Sequence, residues 1–259
     1  MEGAGSQISD GRRIGFVVLD AVYLVVFAVV LFAGVSLVTG WFEGGDRLIH
    51  RVHDIGYGAL GGVLICGGLL AMLFGRGRKP AAMQQVLLGA AAFAVGMAIS
   101  GEWGDAALAL VFVGAFAILA FLHPDRVEVL RSRDRSLSPA LAAVTVIGAV
   151  PAFAYMVATA KLQRTGVLTD SHVEEGHWAT MAGMALGIVV VALLASFRTR
   201  GWRIPAWSAG VAAMVYGLAS TVYPEYPGAE GRTWGLLAIA WGLLFIGFAE
   251  WERGREAAA

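Results

Sequence analysis

Long apolar blocks, separated by short polar stretches, dominate the hydrophobic pattern of this chain. Eight such blocks occur, each roughly 20 residues long, which is the length that an α-helix needs to cross a bilayer. The predicted helices cover residues 14–38, 50–74, 83–100, 106–122, 139–160, 177–197, 205–222 and 233–248. The blocks are apolar on all sides, whereas a surface helix of a soluble protein needs a polar face. The pattern therefore predicts an all-α integral membrane protein with eight transmembrane helices.

The composition agrees with a membrane protein and excludes several other classes. Of the 259 residues, 58% are hydrophobic and 15% are charged, whereas soluble domains average about 25% charged residues. The formal net charge is zero, so we expect no electrostatic attraction to nucleic acid. The single cysteine, Cys66, lies inside an apolar block and leaves no disulfide framework within the chain. Residues 1–11 are polar and lack the pattern of a cleaved signal peptide, so we expect the first helix to be retained as an anchor.

The distribution of basic residues predicts the orientation in the membrane. Eight helices place both termini on the same side. If that side is cytoplasmic, 14 of the 19 Lys and Arg residues lie there, as the positive-inside rule requires. We therefore predict a multi-pass protein of the cell (inner) membrane with both termini cytoplasmic. Membrane lipids are its expected partners, and association with itself or with other membrane subunits stays open.

The two halves of the chain have similar spacing. Pro80 follows His53 by 27 residues, and Pro205 follows His177 by 28, in each case across an apolar helix and a basic turn. This predicts two parallel four-helix repeats related by an axis along the membrane normal. The halves are residues 14–125 and 139–252, joined by a cytoplasmic linker (126–138) and flanked by cytoplasmic tails (1–13 and 253–259).

Glycine pairs lie on the second and sixth predicted helices. Gly58 and Gly62 form a small-xxx-small pair on the second, and Gly183 and Gly187 form one on the sixth. Such faces let helices in a bilayer approach each other closely. We therefore expect the second and sixth helices to lie near each other.

Four of the five histidines lie just before, or at the start of, the second and sixth helices. His50 and His53 are three residues apart and share a helical face, and the same spacing relates Glu174 to His177. The predicted topology places all of them at the outer membrane surface. The candidate metal ligands are His50, His53, His172, Glu174 and His177.

Neutral imidazole and carboxylate together suit a divalent metal such as Zn, Mn or Fe. The spacing Glu-x-x-His occurs in carboxylate-bridged dinuclear sites of helix bundles, although the first half of this chain has His-x-x-His instead. A metal held at the membrane surface would activate a bound water against a lipid-borne bond. Glu174 is the candidate catalytic residue, as a ligand or as a general base.

Haem b is a second interpretation of the same residues. His53 and His177, which match in the two repeats, would be its axial ligands. The predicted architecture is similar to that of haem A synthase, which also has eight helices in two four-helix halves. That family uses histidines on further helices of each half, and the third, seventh and eighth helices contain none here.

Three other interpretations stay open. The cluster would serve equally for an ion- or proton-coupled transporter, or for a pH or metal sensor. The acidic residues would also be ordinary in helix N-termini, where they favour the helix dipole. The chain would then be a structural subunit of a membrane complex. Asp20, inside the first helix, is either an interfacial group or a functional buried acid.

Overall fold

The computed structural model describes residues 2–75, 79–131, 136–167 and 169–258. All regular structure in these ranges is helical, which confirms the predicted all-α class. The α-helices are α1 (Glu2–Val25), α2 (Ala33–Thr39), α3 (Arg51–Gly58), α4 (Gly67–Gly75), α5 (Pro80–Ile99), α6 (Trp103–Leu122), α7 (Arg126–Arg131), α8 (Pro139–Thr165), α9 (Ser171–Glu174), α10 (His177–Ser196), α11 (Arg203–Val222) and α12 (Gly231–Ala258). A 3-10 segment (Gly45–His50) leads into α3, and π-helical segments follow α1 (Val26–Val30) and join α3 to α4 (Ala59–Cys66).

Seven helical stretches within the described residues are long and apolar enough to cross a membrane. They are Gly11–Val30, Arg47–Gly75, Pro80–Ile99, Trp103–Leu122, Pro139–Thr165, His177–Ser196 and Gly231–Arg255. The helix predicted as the seventh span is α11, which has the length but is more polar than these seven. The count of eight spans and the parallel repeat therefore remain predictions.

The first predicted helix is not continuous. The sequence predicts one helix over residues 14–38, but the π-helical segment after α1 ends at Val30, and Phe32, which precedes α2, is left-handed with φ 58°. The Tyr57 hydroxyl donates a 2.8 Å hydrogen bond to the Leu31 carbonyl at this break. A polar side chain thus satisfies one of the carbonyl groups that a helix end leaves free. After the break, α2 packs on α3 and on the π-helical segment that follows it.

The linker between the halves contains a short helix where a loop is expected. Helix α7 begins at Arg126, and the Gln84 side-chain amide on α5 donates a 2.8 Å hydrogen bond to the Val129 carbonyl. The rest of the predicted linker includes residues 132–135, which lie outside the described residues.

The long helices alternate in direction, so their ends form two groups. At one end Arg12 donates a 3.2 Å hydrogen bond to the Pro124 carbonyl. At the same end the Ala81 N–H donates to the Arg200 carbonyl, joining the basic turns of the two halves. We call this the basic end. The helix starts that carry the four clustered histidines lie at the opposite end, which we call the histidine end.

Three spans form the centre of the bundle. In the most apolar window of Arg47–Gly75 and of Pro80–Ile99, over half of the residues are buried, and in that of His177–Ser196 the buried share is 83%. In the other four spans it is 17–28%. Central helices without a polar face are buried on all sides. The histidine end of this centre is formed by the starts of α3 and α10.

The glycine pairs pack differently from the prediction. A Cβ atom on Gly58 or Gly62 would lie within 3 Å of the α2 backbone, and one on Gly183 would contact the α5 backbone. Only Gly187 faces the second span, where it packs against Leu60. The second and sixth predicted helices do meet, but Gly58 and Gly62 allow α2, and not the sixth predicted helix, to pack closely.

Candidate functional site

The four predicted histidines come together at the histidine end. The ring centroid of His50 lies 4.6 Å from that of His172 and 4.7 Å from that of His177. The centroid of His53 lies 4.9 Å from His172 and 5.3 Å from His177. The rings come from the 3-10 segment, α3, α9 and α10, so the cluster forms only when the two halves of the chain pack together.

The helix is interrupted between Glu174 and His177, so the prediction that the two residues share a helical face is wrong. Gly176 has φ 66°, in the left-handed region that favours glycine, and it ends α9 before α10 begins. Glu174 and His177, three residues apart, therefore do not lie on one continuous helix. The Glu174 side chain is exposed. The carboxylate beside His177 belongs to Glu175, whose Oε2 lies 3.2 Å from the His177 Nε2.

A chain of polar contacts runs from a serine to this carboxylate. The Ser171 Oγ lies 3.3 Å from the His50 Nε2, and the His50 Nδ1 lies 2.9 Å from the His177 Nδ1. One set of neutral tautomers satisfies every contact: His177 donates from Nε2 to Glu175, His50 donates from Nδ1 to His177, and Ser171 donates to His50. The carboxylate at one end thus fixes the proton positions along the whole chain.

Three of these residues are arranged as metal ligands. His50, Glu175 and His177 each offer a ligand atom, and the three atoms lie within 4.8 Å of one another. The His50 side chain is buried, and His177 is half-buried. A His/Glu group that can hold a metal ion is therefore present at the histidine end.

His172 is held by other partners. Its Nδ1 contacts the Asp170 Oδ1 at 2.8 Å, and its Nε2 lies 3.3 Å from the Ile49 carbonyl oxygen. Hydrogen bonding to His172 lowers the pKa of Asp170 from its ordinary value. With both nitrogens engaged, His172 packs as a stacked ring on His50.

His53 has no such partners. It is 1% exposed, and neither ring nitrogen has a hydrogen-bond partner within the described residues. The Trp178 ring packs at right angles to the His53 ring, and the two ring centroids are 4.6 Å apart. Buried polar groups are normally hydrogen-bonded, and an exception calls for an explanation such as a ligand or a functional role.

The surroundings of His53 do not fit haem b. A porphyrin between His53 and His177 would need an open slot extending well beyond both rings. The two rings are nearly parallel at 5.3 Å, and the rings of His172 and Trp178 occupy the space beside His53. The donor set and its spacing suit a small ion instead.

The loop after α11 covers His53. The Gly228 backbone lies against the His53 ring, since a Cβ atom there would be 2.9 Å from the His53 Nε2. The hydroxyls of Tyr155 and Tyr216 both donate to the Gly228 carbonyl, at 2.6 and 3.1 Å. Two tyrosines from the bundle therefore hold this loop over the histidine cluster.

A cavity of about 660 Å³ opens beside the cluster, and His53 and His177 form part of its wall. Charged side chains also line this region: Glu43, Arg47, Asp54, Asp105 and Glu175. Apolar side chains, among them Phe32, Val35, Phe93, Leu108 and Phe112, line most of the rest, together with the hydroxyl-bearing side chains of Ser36, Thr39, Tyr57 and Thr180.

Two of the carboxylates in this cavity influence each other. An Arg47 guanidinium nitrogen lies 3.2 Å from the Asp54 Oδ2. Burial, and after it the nearby Asp54 carboxylate, raises the pKa of Glu43 to about 7. The charge at this part of the wall therefore changes near neutral pH.

The sequence prediction left Glu175 and Ser171 out of the ligand set and gave no sign of the cavity. Gly176 was the available signal for Glu175, because a glycine is a common left-handed residue just after a helix end.

Asp20 is fully buried, with no hydrogen-bond partner for its carboxylate within the described residues, and lies one turn from Phe16, which packs on His123 at the basic end. Asp46, which the four-residue spacing predicts on the same helical face as His50, has a side chain outside what the structure describes.

Comparison with known proteins identifies no relative of this chain, so a function has to be inferred from the site itself. No protein-family model, no curated protein and no solved structure matches this chain.

Proposed function

We propose that the protein is a metal-dependent membrane enzyme whose centre is the histidine cluster, with His50, Glu175 and His177 as the metal ligands. One observation carries the proposal: their three ligand atoms lie within 4.8 Å of one another. The acidic residues alone would be unremarkable at helix starts. Two imidazoles that converge on a carboxylate from distant parts of the chain are not explained by capping.

The ligand set favours a catalytic site over a structural one. Two histidines and one glutamate bind zinc in several zinc enzymes, where the fourth position holds water or substrate. Two histidines and one carboxylate also bind iron in oxygenases, and carboxylate ligands suit manganese. A bound ion of this kind supplies Lewis acidity or an activated water. Structural zinc sites, by contrast, use four protein ligands.

The chain's own residues orient the ligands. Ser171 contacts the His50 Nε2, which leaves the His50 Nδ1 directed at His177. Such outer contacts fix the tautomer and orientation of ligating histidines. His53 lies next to the ligands, buried and with no hydrogen-bond partner for either ring nitrogen within the described residues.

The proposed centre faces the outside of the cell membrane. The positive-inside rule assigns the basic end to the cytoplasm, and the histidine cluster lies at the other end of the bundle.

Proton binding is the second candidate function, and a separate observation favours it. The contacts from Ser171 through His50 and His177 to Glu175 form an unbroken hydrogen-bond chain. Such a chain can transfer a proton between its ends without a metal. An ion- or proton-coupled transporter, or a pH sensor, would use the cluster in this way.

Metal analysis of a matched pair of variants tests the proposal. Glu174 and Glu175 are adjacent and both exposed, so glutamine at either position should leave the fold intact. Wild type and Glu174→Gln should retain one divalent ion per chain after purification and dialysis, and Glu175→Gln should lose it at least tenfold more readily. A wild-type protein that binds no divalent metal under any condition would leave proton binding as the function. Equal metal content in the two variants would also contradict the assignment.

A further inference from the structure

The cavity beside the histidine cluster has two chemically different parts. Its polar part contains charged side chains together with His53 and His177, and its apolar part contains Phe32, Leu108 and Phe112. A pocket of about 660 Å³ lies within the range of roughly 300–1,000 Å³ that is usual for small-molecule sites. The two parts together match an amphipathic molecule.

The apolar part extends into the depth of the bilayer. Asp105 lies in the first turn of α6, at the histidine end, and Phe112 lies seven residues further along the helix. Seven residues of α-helix span about 10 Å. Both residues line the same cavity, so the cavity runs from the polar end of the bundle to the level of the lipid chains.

The cavity also reaches the lateral surface of the bundle. Two of its lining side chains are largely exposed there, Phe32 at 61% and Leu108 at 54%. Phe32 is the left-handed residue at the break of the first span. Helix α1 packs on α6, whereas α2 beyond the break packs on the second span. The wall between α2 and α6 thus consists of side chains that face the lipid.

The charges in the polar part select the head group. Four carboxylates line it, those of Glu43, Asp54, Asp105 and Glu175, against the single guanidinium of Arg47. Even with Glu43 protonated, three carboxylates against one guanidinium leave the metal-free cavity with an excess of negative charge, which repels an anionic phosphate because like charges brought close together destabilise a complex. His53, 1% exposed and without a partner, lines the cavity, and a neutral imidazole nitrogen can donate to or accept from an uncharged oxygen.

We propose that this cavity binds a lipid through one apolar chain and an uncharged head group that carries hydroxyl or carbonyl oxygens. The head would contact His53 and His177, and the chain would lie between Phe32, Leu108 and Phe112. Such lipids are the substrate class of the proposed metal-dependent enzyme, and in that respect the inference rests on the proposed function. The binding itself requires only the cavity.

Photocrosslinking with a monoacylglycerol that carries a diazirine in its acyl chain tests the proposal. The probe would be added to the full-length protein in detergent micelles, and crosslinked peptides would be identified by mass spectrometry. Leu108→Trp would fill the cavity. Leu110→Trp is its matched control, because Leu110 is 60% exposed on the same helix and lies outside the cavity lining.

The expected result is crosslinking to α2 and α6 in wild type and Leu110→Trp, reduced at least tenfold in Leu108→Trp. Excess unlabelled monoacylglycerol should abolish it, and in protein stripped of metal with a chelator the same chain with a phosphate head should compete at least tenfold less well. Equal crosslinking in the two tryptophan variants, or equal competition by the phosphate lipid, would overturn the proposal.

Metal content measured on the same samples separates the two proposals. Crosslinking without bound metal would support the lipid site and reject the metal centre. Bound metal without specific crosslinking would do the reverse.

Discussion

The Nδ1 atoms of His50 and His177 lie 2.9 Å apart although 127 residues separate them in the chain. The contact joins the start of the second span to the start of α10. Two nitrogen ligands of a tetrahedral zinc ion, each at about 2.0–2.1 Å from the metal, lie about 3.3 Å apart. Metal binding would therefore require a slightly wider spacing and a rotation of the rings, so that both nitrogens face one ion and the Glu175 carboxylate, now 3.2 Å from the His177 Nε2, reaches the same ion.

The variants His50→Ala and His177→Ala should each lower bound metal at least tenfold. The double variant should lose little more than either single one, because residues that share one ligand set do not act independently. Metal analysis of the three purified variants measures this. His172→Asn is the histidine control and should keep its metal, since the His172 nitrogens contact Asp170 and Ile49 instead. A single alanine variant with a full metal content would contradict the shared site.

Glu43→Gln should change the pH dependence of stability. Burial raises the pKa of Glu43 from 4.5 to about 7. The folded chain therefore holds a proton that the unfolded chain has released, and the free energy of unfolding decreases as the pH rises through this window. Glutamine cannot ionise, so the variant should have a higher Tm than wild type at about pH 9, and the difference should shrink towards about pH 4.

Thermal denaturation in detergent at both pH values measures the Glu43 effect. Glu225→Gln, in the exposed part of the loop after α11, is the control and should show no such trend. A Tm difference between Glu43→Gln and wild type that is independent of pH would reject the assignment.

Tyr155→Phe should loosen the loop that covers His53. The variant removes the 2.6 Å hydrogen bond to the Gly228 carbonyl and leaves the 3.1 Å bond from Tyr216. A hydrogen bond of this kind contributes about 1 kcal/mol, so amide exchange in residues 224–230 should become about fivefold faster. Hydrogen exchange with mass spectrometry measures it. The control Tyr23→Phe keeps the ring contact with Phe116 and should leave the loop unchanged; equal protection in both variants would contradict the role of Tyr155.

Gly96→Ala should destabilise the centre of the bundle. A Cβ atom on Gly96 would lie 2.5 Å from the Gly183 Cα, so α5 and α10 would have to move apart. Overpacking of this kind costs about 1–3 kcal/mol and should lower the Tm in detergent. Gly114→Ala is the control, because nothing lies within 4 Å of a Cβ atom there. Similar Tm values for the two alanine variants would show that the helix crossing tolerates extra volume.

The helical class and most of the spans follow from the sequence alone. Hydropathy and length are local properties of a segment, and a helix satisfies its own backbone hydrogen bonds within the bilayer. The apolar block after His177, for example, is the helix His177–Ser196 almost residue for residue. The positions of the four histidines at helix starts were also visible, and with them the region where a site would form.

Only the tertiary structure decided which carboxylate joins the histidines. A spacing of three residues predicts a shared face as long as the helix is continuous. The left-handed turn at Gly176 resets the direction of the chain, so Glu174 is exposed and Glu175 contacts His177. The break at Phe32, the partners of Gly58 and the cavity have the same cause: each depends on how distant segments pack, and neither hydropathy nor helical period contains that information.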